Sequence, residues 1–324
     1  MTLYEKSIGV VVPAYNEEQF VGGVVETMPP FVDRIYVVDD RSTDDTWSVV
    51  TDYADPEAIT VGRTDESTPP DVGRVVPIRH EENRGVGGAI KTGYKRALAD
   101  RMDVTVVMGG DGQMDPDYLT DLVNPIVSGY AEYTKANRLY SSGHSEGMSR
   151  WRLFGNQLLS GLTRITSGYW RLSDPQNGYT AISLPALETV DVDSMYEYYG
   201  YCNDLLVKLN VHGMRVADVP VPAVYGDEES SITYPQYIVR VSWMLFRNFV
   251  WRLRVKYVQD QFHPLVVCYG LGGLLVLQSL LFVLATVPWQ ATSLLLSVVG
   301  LVLVGLAMEL DKRANRNLEV TINA

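Results

Sequence analysis

The hydrophobic positions of this chain fall into two regimes. Through about residue 225 they come as short β-branched runs, at 8–12, 34–38, 75–78 and 104–108, each followed by a loop and a helix-like stretch. That alternation predicts a parallel sheet with crossover helices, an α/β body. Beyond residue 264 the apolar positions become continuous: 265–287 is 23 residues without a formal charge, and 291–308 adds 18 more. A hydrocarbon core about 30 Å thick takes about 20 helical residues, so each run is long enough to be a transmembrane helix. The link Pro288-Trp289-Gln290 leaves room only for a tight hairpin. Between the regimes, residues 237–257 interleave Trp243, Phe246, Phe249, Val250 and Trp251 with Arg240, Arg247, Arg252 and Arg254. Rings at the interface and guanidiniums on lipid phosphate suit an amphipathic helix lying in the headgroup layer. The expected organisation is a cytosolic body over 1–230, a membrane-interface region over 231–262, a two-helix hairpin over 263–310 and a cytoplasmic tail over 311–324.

Charge divides at the same place. Residues 1–234 carry 35 acidic and 19 basic side chains, net −16, and the remaining 90 carry 8 basic against 4 acidic, net +4. An acidic body repels phosphate backbones, which argues against nucleic acid as a partner. Arg252, Arg254 and Lys256 precede the hairpin and Lys312, Arg313 and Arg316 follow it. The positive-inside rule then places both termini in the cytoplasm and makes membrane lipids a partner. Asp outnumbers Glu 23 to 16 and Arg outnumbers Lys 20 to 7, a bias compatible with a salt-rich cytoplasm, as in a halophilic prokaryote or archaeon. Cys202 and Cys268 lie in different regimes, so neither a disulfide framework nor a zinc cluster is available. The polar residues 1–6 lead into an apolar run that ends at Pro13, too brief for a signal peptide.

Ligands of open parallel sheets gather where strands end, and Pro13, Asp39, Asp40 and Asp111 fall on those carboxyl ends. Asn16 is expected to cap a helix opening at Glu17, and Asp44 and Asp45 to enrich the first turn of the next. Asp115 and Asp117 read as first-turn acids of a helix after Pro116. The stretch Gly85-Val86-Gly87-Gly88-Ala89-Ile90-Lys91-Thr92 nearly spells a phosphate-binding loop, but Ile90 stands where the glycine before the lysine must be. Its glycines are therefore expected to pack a helix against the sheet, with Lys91 in solvent.

Four motifs in order carry a resemblance: Val11-Val12-Pro13-Ala14-Tyr15-Asn16-Glu17-Glu18, Val37-Val38-Asp39-Asp40-Arg41-Ser42-Thr43-Asp44, Asn83-Arg84-Gly85-Val86-Gly87-Gly88-Ala89, and Gly109-Gly110-Asp111-Gly112-Gln113. Over about residues 8–225 the chain resembles family 2 glycosyltransferases of the GT-A fold. Its two-helix tail and the segment Asp174-Pro175-Gln176-Asn177-Gly178-Tyr179 resemble the branch that glycosylates polyprenyl or dolichyl phosphates. The resemblance implies a Rossmann-like, mostly parallel sheet and inverting transfer of one hexose from a UDP- or GDP-linked nucleotide sugar to a polyprenyl (dolichyl) phosphate, with Mg²⁺ or Mn²⁺. It assigns Pro13, Tyr15, Glu17 and Asp40 to the nucleotide pocket, and Asp39 beside Asp40 has the chemistry to accept hydrogen bonds from a base N–H or a ribose hydroxyl. Gly109 stands at the first aspartate of the family's metal motif, which leaves Asp111 and the Gln113 carbonyl as ligands beside diphosphate oxygens.

Arg138, in Ala136-Asn137-Arg138, resembles the family's Gly-Ser-Arg segment, and Arg150 or Arg152 matches a downstream arginine that meets the acceptor phosphate. Fork-shaped donors suit a phosphate monoester. Thr180 takes the place where relatives often carry Arg or Lys. Asp204, in Asn203-Asp204, lies where enzymes acting on hydroxyls place a catalytic base; an acceptor phosphate is already anionic, and there the residue would orient groups. Asp111, Arg138 and Asp204 thus form the implied catalytic set, His144 lies in a loop that can approach the acceptor, and residues 228–232 form part of an implied lid. Two alternatives stay open: a transferase acting on a sugar or protein hydroxyl, and a non-catalytic nucleotide-binding membrane scaffold. Processive synthases usually carry Gln-x-x-Arg-Trp, and here Gly147 precedes Arg150-Trp151.

Overall fold

The computed structural model describes residues 5–55, 60–61, 73–138, 150–222, 234–284 and 290–322. The predicted runs become strands β1 (Ile8–Ala14), β2 (Arg34–Asp39), β4 (Val75–Arg79) and β5 (Val104–Val107), joined by β3 (Thr60–Val61), β6 (Tyr133–Asn137), β7 (Thr180–Ser183), β8 (Val216–Pro220) and β9 (Glu319–Thr321). They form one nine-stranded sheet in the order β3-β4-β2-β1-β5-β7-β6-β8-β9, parallel except for β7, which runs against both neighbours. The carboxyl ends of β1, β2, β4, β5 and β6 therefore share one edge.

Both faces of the sheet are covered, which is why its strands read as unbroken apolar runs. Val11 packs into one core with Tyr36, Val38 and the helices α3 (Val86–Ala99) and α7 (Tyr201–Val211). Val10 and Val12 point into the other, with α1 (Val21–Glu26) and α4 (Leu119–Val127). Residues alternating along one strand reach opposite cores because the side-chain period is two. The remaining helices are α2 (Thr46–Thr51), α5 (Arg150–Ser167), α6 (Leu184–Thr189), α8 (Tyr234–Arg254), α9 (Leu265–Leu284) and α10 (Gln290–Asn315).

Helix α8 occupies the expected interface region. Val241, Met244 and Leu245 bury one face against Leu159 and Tyr196. Val239, Trp243, Phe246 and Val250 form an exposed apolar stripe on the other, with Trp243 and Phe246 stacked. The helix descends along the body: Val241 and Met244 lie against Gly200, near the strand-end edge, whereas Arg252 lies against Gly168 near the strand-start edge. Helices α9 and α10 are long and apolar enough to span a membrane. They pack closely at Gly272 and Gly300, where a Cβ on either would fall 2.8 Å from the other's carbonyl oxygen, the small-residue contact by which membrane helices associate. Ser279 and Ser297 share a hydrogen bond across the same pair.

The chain returns from this hairpin to the body. After α10 it forms β9, which pairs in parallel with β8 at the sheet edge, Val216 opposite Glu319. A buried polar cluster fixes the junction. Asp311, on α10, accepts from Arg252 Nη1 (3.0 Å) and Nη2 (2.8 Å), Tyr257 Oη (2.6 Å) and Trp170 Nε1 (3.3 Å). Arg252 also donates to the Ile165 carbonyl, and Lys256 donates to Asn210 and Asn315.

Three local expectations fail. Asp44 and Asp45 precede α2, whose first turn from Thr46 holds no acid. Asn16 caps no helix: it sits at φ +59°, its Oδ1 accepts the Thr43 N–H, and α1 begins only at Val21. Lys91 is not in solvent; it is buried and donates to Glu197 Oε1 at 2.9 Å.

Candidate active site

The first two motifs form a single braced rim. Glu17 donates its N–H to Thr46 Oγ1 (2.7 Å), Asn16 donates its N–H to Ser42 Oγ (3.0 Å), and Asp45 donates its N–H to Glu18 Oε2 (3.0 Å). Pro13 is half-buried at the end of β1, and Tyr15 stands exposed beyond it. Asp39 is fully buried: Oδ1 accepts the Ser42 N–H and Oδ2 lies 3.0 Å from Arg79 Nε. Asp40 is buried as well, with Oδ1 taking His80 Nδ1 (2.7 Å) and the Arg84 N–H (2.8 Å) and Oδ2 taking the Gly85 N–H (2.7 Å). His80 continues through Nε2 to Thr92 Oγ1 at 2.8 Å. Asp40 is thus committed within the fold and ties β2 to the start of the glycine-rich segment, whereas Asp39 Oδ2 faces Arg79 without receiving a hydrogen bond.

That segment needs its glycines for contact. A Cβ on Gly87 would lie 2.4 Å from the Tyr196 carbonyl oxygen, and one on Gly93 would lie 2.2 Å from Val11 Cγ1. Glu197 closes the approach, accepting from Arg84 Nη2 (2.6 Å) and Lys91 Nζ (2.9 Å). Burial alone would lift its carboxyl, but the hydrogen bonds from Lys91 and Arg84 hold it below its ordinary value.

After β5 the chain turns into the Asp111 loop, held against β1 by the Gly110 N–H on the Pro13 carbonyl (3.1 Å). Asp111 is half-buried; its Oδ1 accepts the Gln113 N–H at 3.1 Å. A Cβ at Gly109 would lie 2.9 Å from that same Oδ1, so the carboxylate folds over the position where a side chain at 109 would begin. Among the described residues no group of three or more His, Cys, Asp or Glu is placed to hold a metal. One hard carboxylate on an open loop fits a small divalent cation that takes its other ligands from phosphate oxygens and water. Asp117 is a first-turn acid as expected, though of a short 3₁₀ turn, Pro116–Tyr118, while Asp115 lies one position earlier and caps that turn by accepting the Asp117 N–H.

The segment at 174–179 joins this loop to β6. Tyr179 Oη donates to the Asp115 carbonyl (2.9 Å), and Arg138, just past β6, forks onto Asp174 through Nε (2.7 Å) and Nη2 (3.2 Å). Beneath it the fully buried Lys135 donates to the Asn177 carbonyl. Asp218, its neighbour in register on β8, accepts the Ser173 N–H at 2.7 Å and has its carboxyl pushed up to about 6 by burial. Asp204 supports the segment that carries Glu197. It is buried one turn into α7, accepting the Tyr196 N–H (3.0 Å) and Asn248 Nδ2 (2.7 Å), and thereby clips α7 to α8. The side chains of Arg150 and Arg152, residue 144 and the lid segment 228–232 lie outside what is described.

Pro13, Tyr15, Glu17, Asp39, Asp40, Asp111, Gln113 and Arg138 thus share the strand-end edge, and Asp204 is bonded to the Tyr196–Glu197 segment that packs against the glycine-rich loop there. Residues 9–190 match the family described as Glycosyl transferase family 2. The chain belongs to this glycosyltransferase family. Over 224 residues it is 30% identical to the UDP-N-acetylglucosamine--dolichyl-phosphate N-acetylglucosaminyltransferase of Methanococcus voltae, covering 69% of this chain and 88% of the relative. It is 27% identical to the polyprenol monophosphomannose synthase of Mycolicibacterium smegmatis, covering 65% and 75%. Among solved structures it resembles the glucosyl-3-phosphoglycerate synthase of Mycobacterium tuberculosis in complex with Mn²⁺, UDP and phosphoglyceric acid. That likeness has a TM-score of 0.52 at 19% identity and covers 77% of this chain and 79% of the other, a likeness of fold.

Several residues that shape this glycosyltransferase site escape sequence reasoning. His80, Arg79 and Glu197 carry no local signal, since their partners lie 12 to 113 positions away. Lys135 did leave one, a cation in the middle of a strand-like run.

Proposed function

We propose that this glycosyltransferase moves one hexose from a UDP- or GDP-sugar to the phosphate of a polyprenyl (dolichyl) lipid at the cytoplasmic membrane face, with inversion at the anomeric carbon. The observation that carries this reading is the placement of α8. Its apolar, aromatic stripe runs from the residues packed on Gly200, beside the Glu197 clasp, down to the foot of the hairpin. At about 1.5 Å per residue its 21 residues span about 30 Å. A bilayer surface in contact with that stripe would reach the strand-end edge, where a lipid phosphate could meet a nucleotide sugar. The names of the relatives from Methanococcus voltae and Mycolicibacterium smegmatis support the acceptor class.

In this reading the rim built by residues 13–18 and 39–46 holds the nucleotide. Tyr15 and the backbone around Asp39 and Asp40 face it, while the two carboxylates keep the rim rigid. Asp111, with the Gln113 carbonyl, would hold Mg²⁺ or Mn²⁺, which would neutralise charge on the departing diphosphate. Arg138, already oriented by Asp174, together with Arg150 or Arg152 aligns the acceptor phosphate, whose oxygen attacks the anomeric carbon opposite the nucleotide. The attacking oxygen carries no proton to remove, so no base is required, and Asp204 serves by fixing α8 to the body. Positioning supplies the rate advantage.

The test incubates purified full-length protein with a panel of UDP- and GDP-sugars and one polyprenyl phosphate in Mg²⁺ or Mn²⁺, reading label in the organic phase. A labelled, organic-extractable lipid is expected with one donor. Label in a water-soluble saccharide or peptide would assign a hydroxyl acceptor instead, and no turnover of any donor would leave the scaffold reading standing.

A further inference from the structure

A second polar recess lies away from the transfer site, at the foot of the hairpin. It is lined by Arg171, Glu309, Lys312, Arg313, Arg316 and Glu319 and encloses about 550 Å³. Its position is set by topology. Glu319 opens β9 and pairs with Val216, the first residue of β8, so the recess sits at the strand-start edge. The transfer site occupies the strand-end edge, and the five residues of β8 at about 3.3 Å each put roughly 16 Å of sheet between the two levels. The recess is therefore not the subsite for the acceptor phosphate.

Its charge balance favours an anion. Four cations face two carboxylates, and both carboxylates have partners: Glu309 is paired with Arg313 at 2.8 Å, and Glu319 accepts the Arg171 N–H. Among the described residues neither Lys312 nor Arg316 has an ion-pair partner, and both are exposed. Its depth is equally informative. The uncharged run of α10 ends at Met308, so Glu309 to Arg316 occupy the first two turns beyond it, where headgroups begin if the helix crosses a bilayer. Basic recesses at this level hold the phosphates of anionic lipids.

We propose that this recess is a binding site for the phosphate headgroup of an anionic membrane phospholipid, held by Lys312 and Arg316 with Arg171 on the same lining. The occupant comes from the bilayer because the recess opens at the end of a membrane-length helix. A bound headgroup would brace α10 against β9 and the body. The inference rests on α9 and α10 crossing the bilayer and does not depend on the transfer chemistry.

The test uses full-length protein in neutral-detergent micelles and follows its unfolding temperature during titration with phosphatidylglycerol, with phosphatidylcholine and inorganic phosphate as separate arms. Saturable stabilisation by phosphatidylglycerol alone is expected. The double variant K312Q/R316Q should weaken it about 30-fold, about fivefold per charge, while the variant R316K should retain most of it. Because both side chains are exposed, the double variant should fold normally, which its unfolding temperature without lipid checks. Equal stabilisation of wild type and the double variant would overturn the assignment, as would protection by millimolar inorganic phosphate alone. Loss of sugar transfer with lipid binding intact would bear on the preceding proposal and leave this one standing.

Discussion

The pair Arg252–Asp311 offers the sharpest test of how the catalytic body is fixed to its anchor. Both side chains are fully buried, and the carboxylate also receives Tyr257, Trp170 and Asn315. Asp311→Asn keeps one acceptor oxygen but turns an amide donor toward other donors and leaves the guanidinium buried without its counter-charge. Breaking a buried pair from one side costs about 3–5 kcal/mol, which for a domain of this size lowers the unfolding temperature by about 10 °C. The double variant R252M/D311L removes both charges. It should cost only about 1–2 kcal/mol, because Tyr257 and Asn315 can still bond to each other while Trp170 and the Ile165 carbonyl lose a partner. Thermal and urea unfolding in detergent, followed by tryptophan fluorescence, read the difference; Trp170 lies at the junction itself. A single variant costing under about 1 kcal/mol would mean that the pair behaves like an exposed one. Single-variant costs that simply add in the double would mean the two charges are not coupled. Either result would refute the view that this contact locks the hairpin to the body.

Three further outcomes follow from the geometry. Asp218 has its carboxyl raised from 3.8 to about 6, so the native state holds a proton that the unfolded chain releases between those values, and stability falls as pH rises from about 4 to 6. Asp218→Asn, which keeps an acceptor for Ser173, should therefore raise stability at pH 7 by up to about 3 kcal/mol and change little at pH 3.5; a uniform shift at both pH values would exclude this cause. Gly93→Ala places a methyl 2.2 Å from Val11 and should destabilise by about 1–3 kcal/mol in thermal unfolding, with partial rescue by Val11→Ala. Arg138→Lys exchanges a two-point contact with Asp174 for a single one and should reduce lipid-linked product formation about tenfold with little change in unfolding temperature; unchanged kinetics would remove Arg138 from acceptor alignment.

Much of this protein is written locally. The β-branched runs gave four strands within two residues of their observed ends, because a strand buried on both faces must be apolar along its length. Charge-free stretches gave α9 and α10, and aromatic–arginine mixing gave α8 with its exposed stripe. The ordered motifs placed Pro13, Asp39, Asp40, Asp111 and Arg138 on one edge, since in a parallel sheet the ends of strands are neighbours whatever lies between them in sequence.

What those side chains bond to was decided by the tertiary structure. Asp39 and Asp40 read as open acceptors, yet three of their four oxygens take hydrogen bonds from Ser42, His80, Arg84 and Gly85, and the fourth, Asp39 Oδ2, faces Arg79 in an ion pair. Lys91 reads as a solvated helix residue and is buried on Glu197, 106 positions later. The return of residues 319–321 to the sheet, and the meeting of Arg252 with Asp311 across the whole hairpin, leave no periodic trace in the chain. Periodicity and apolar length record which face of an element is dry, because burial acts on every residue of that face at once. The partner of a charged group depends on one contact between distant segments, and only the folded chain brings those segments together.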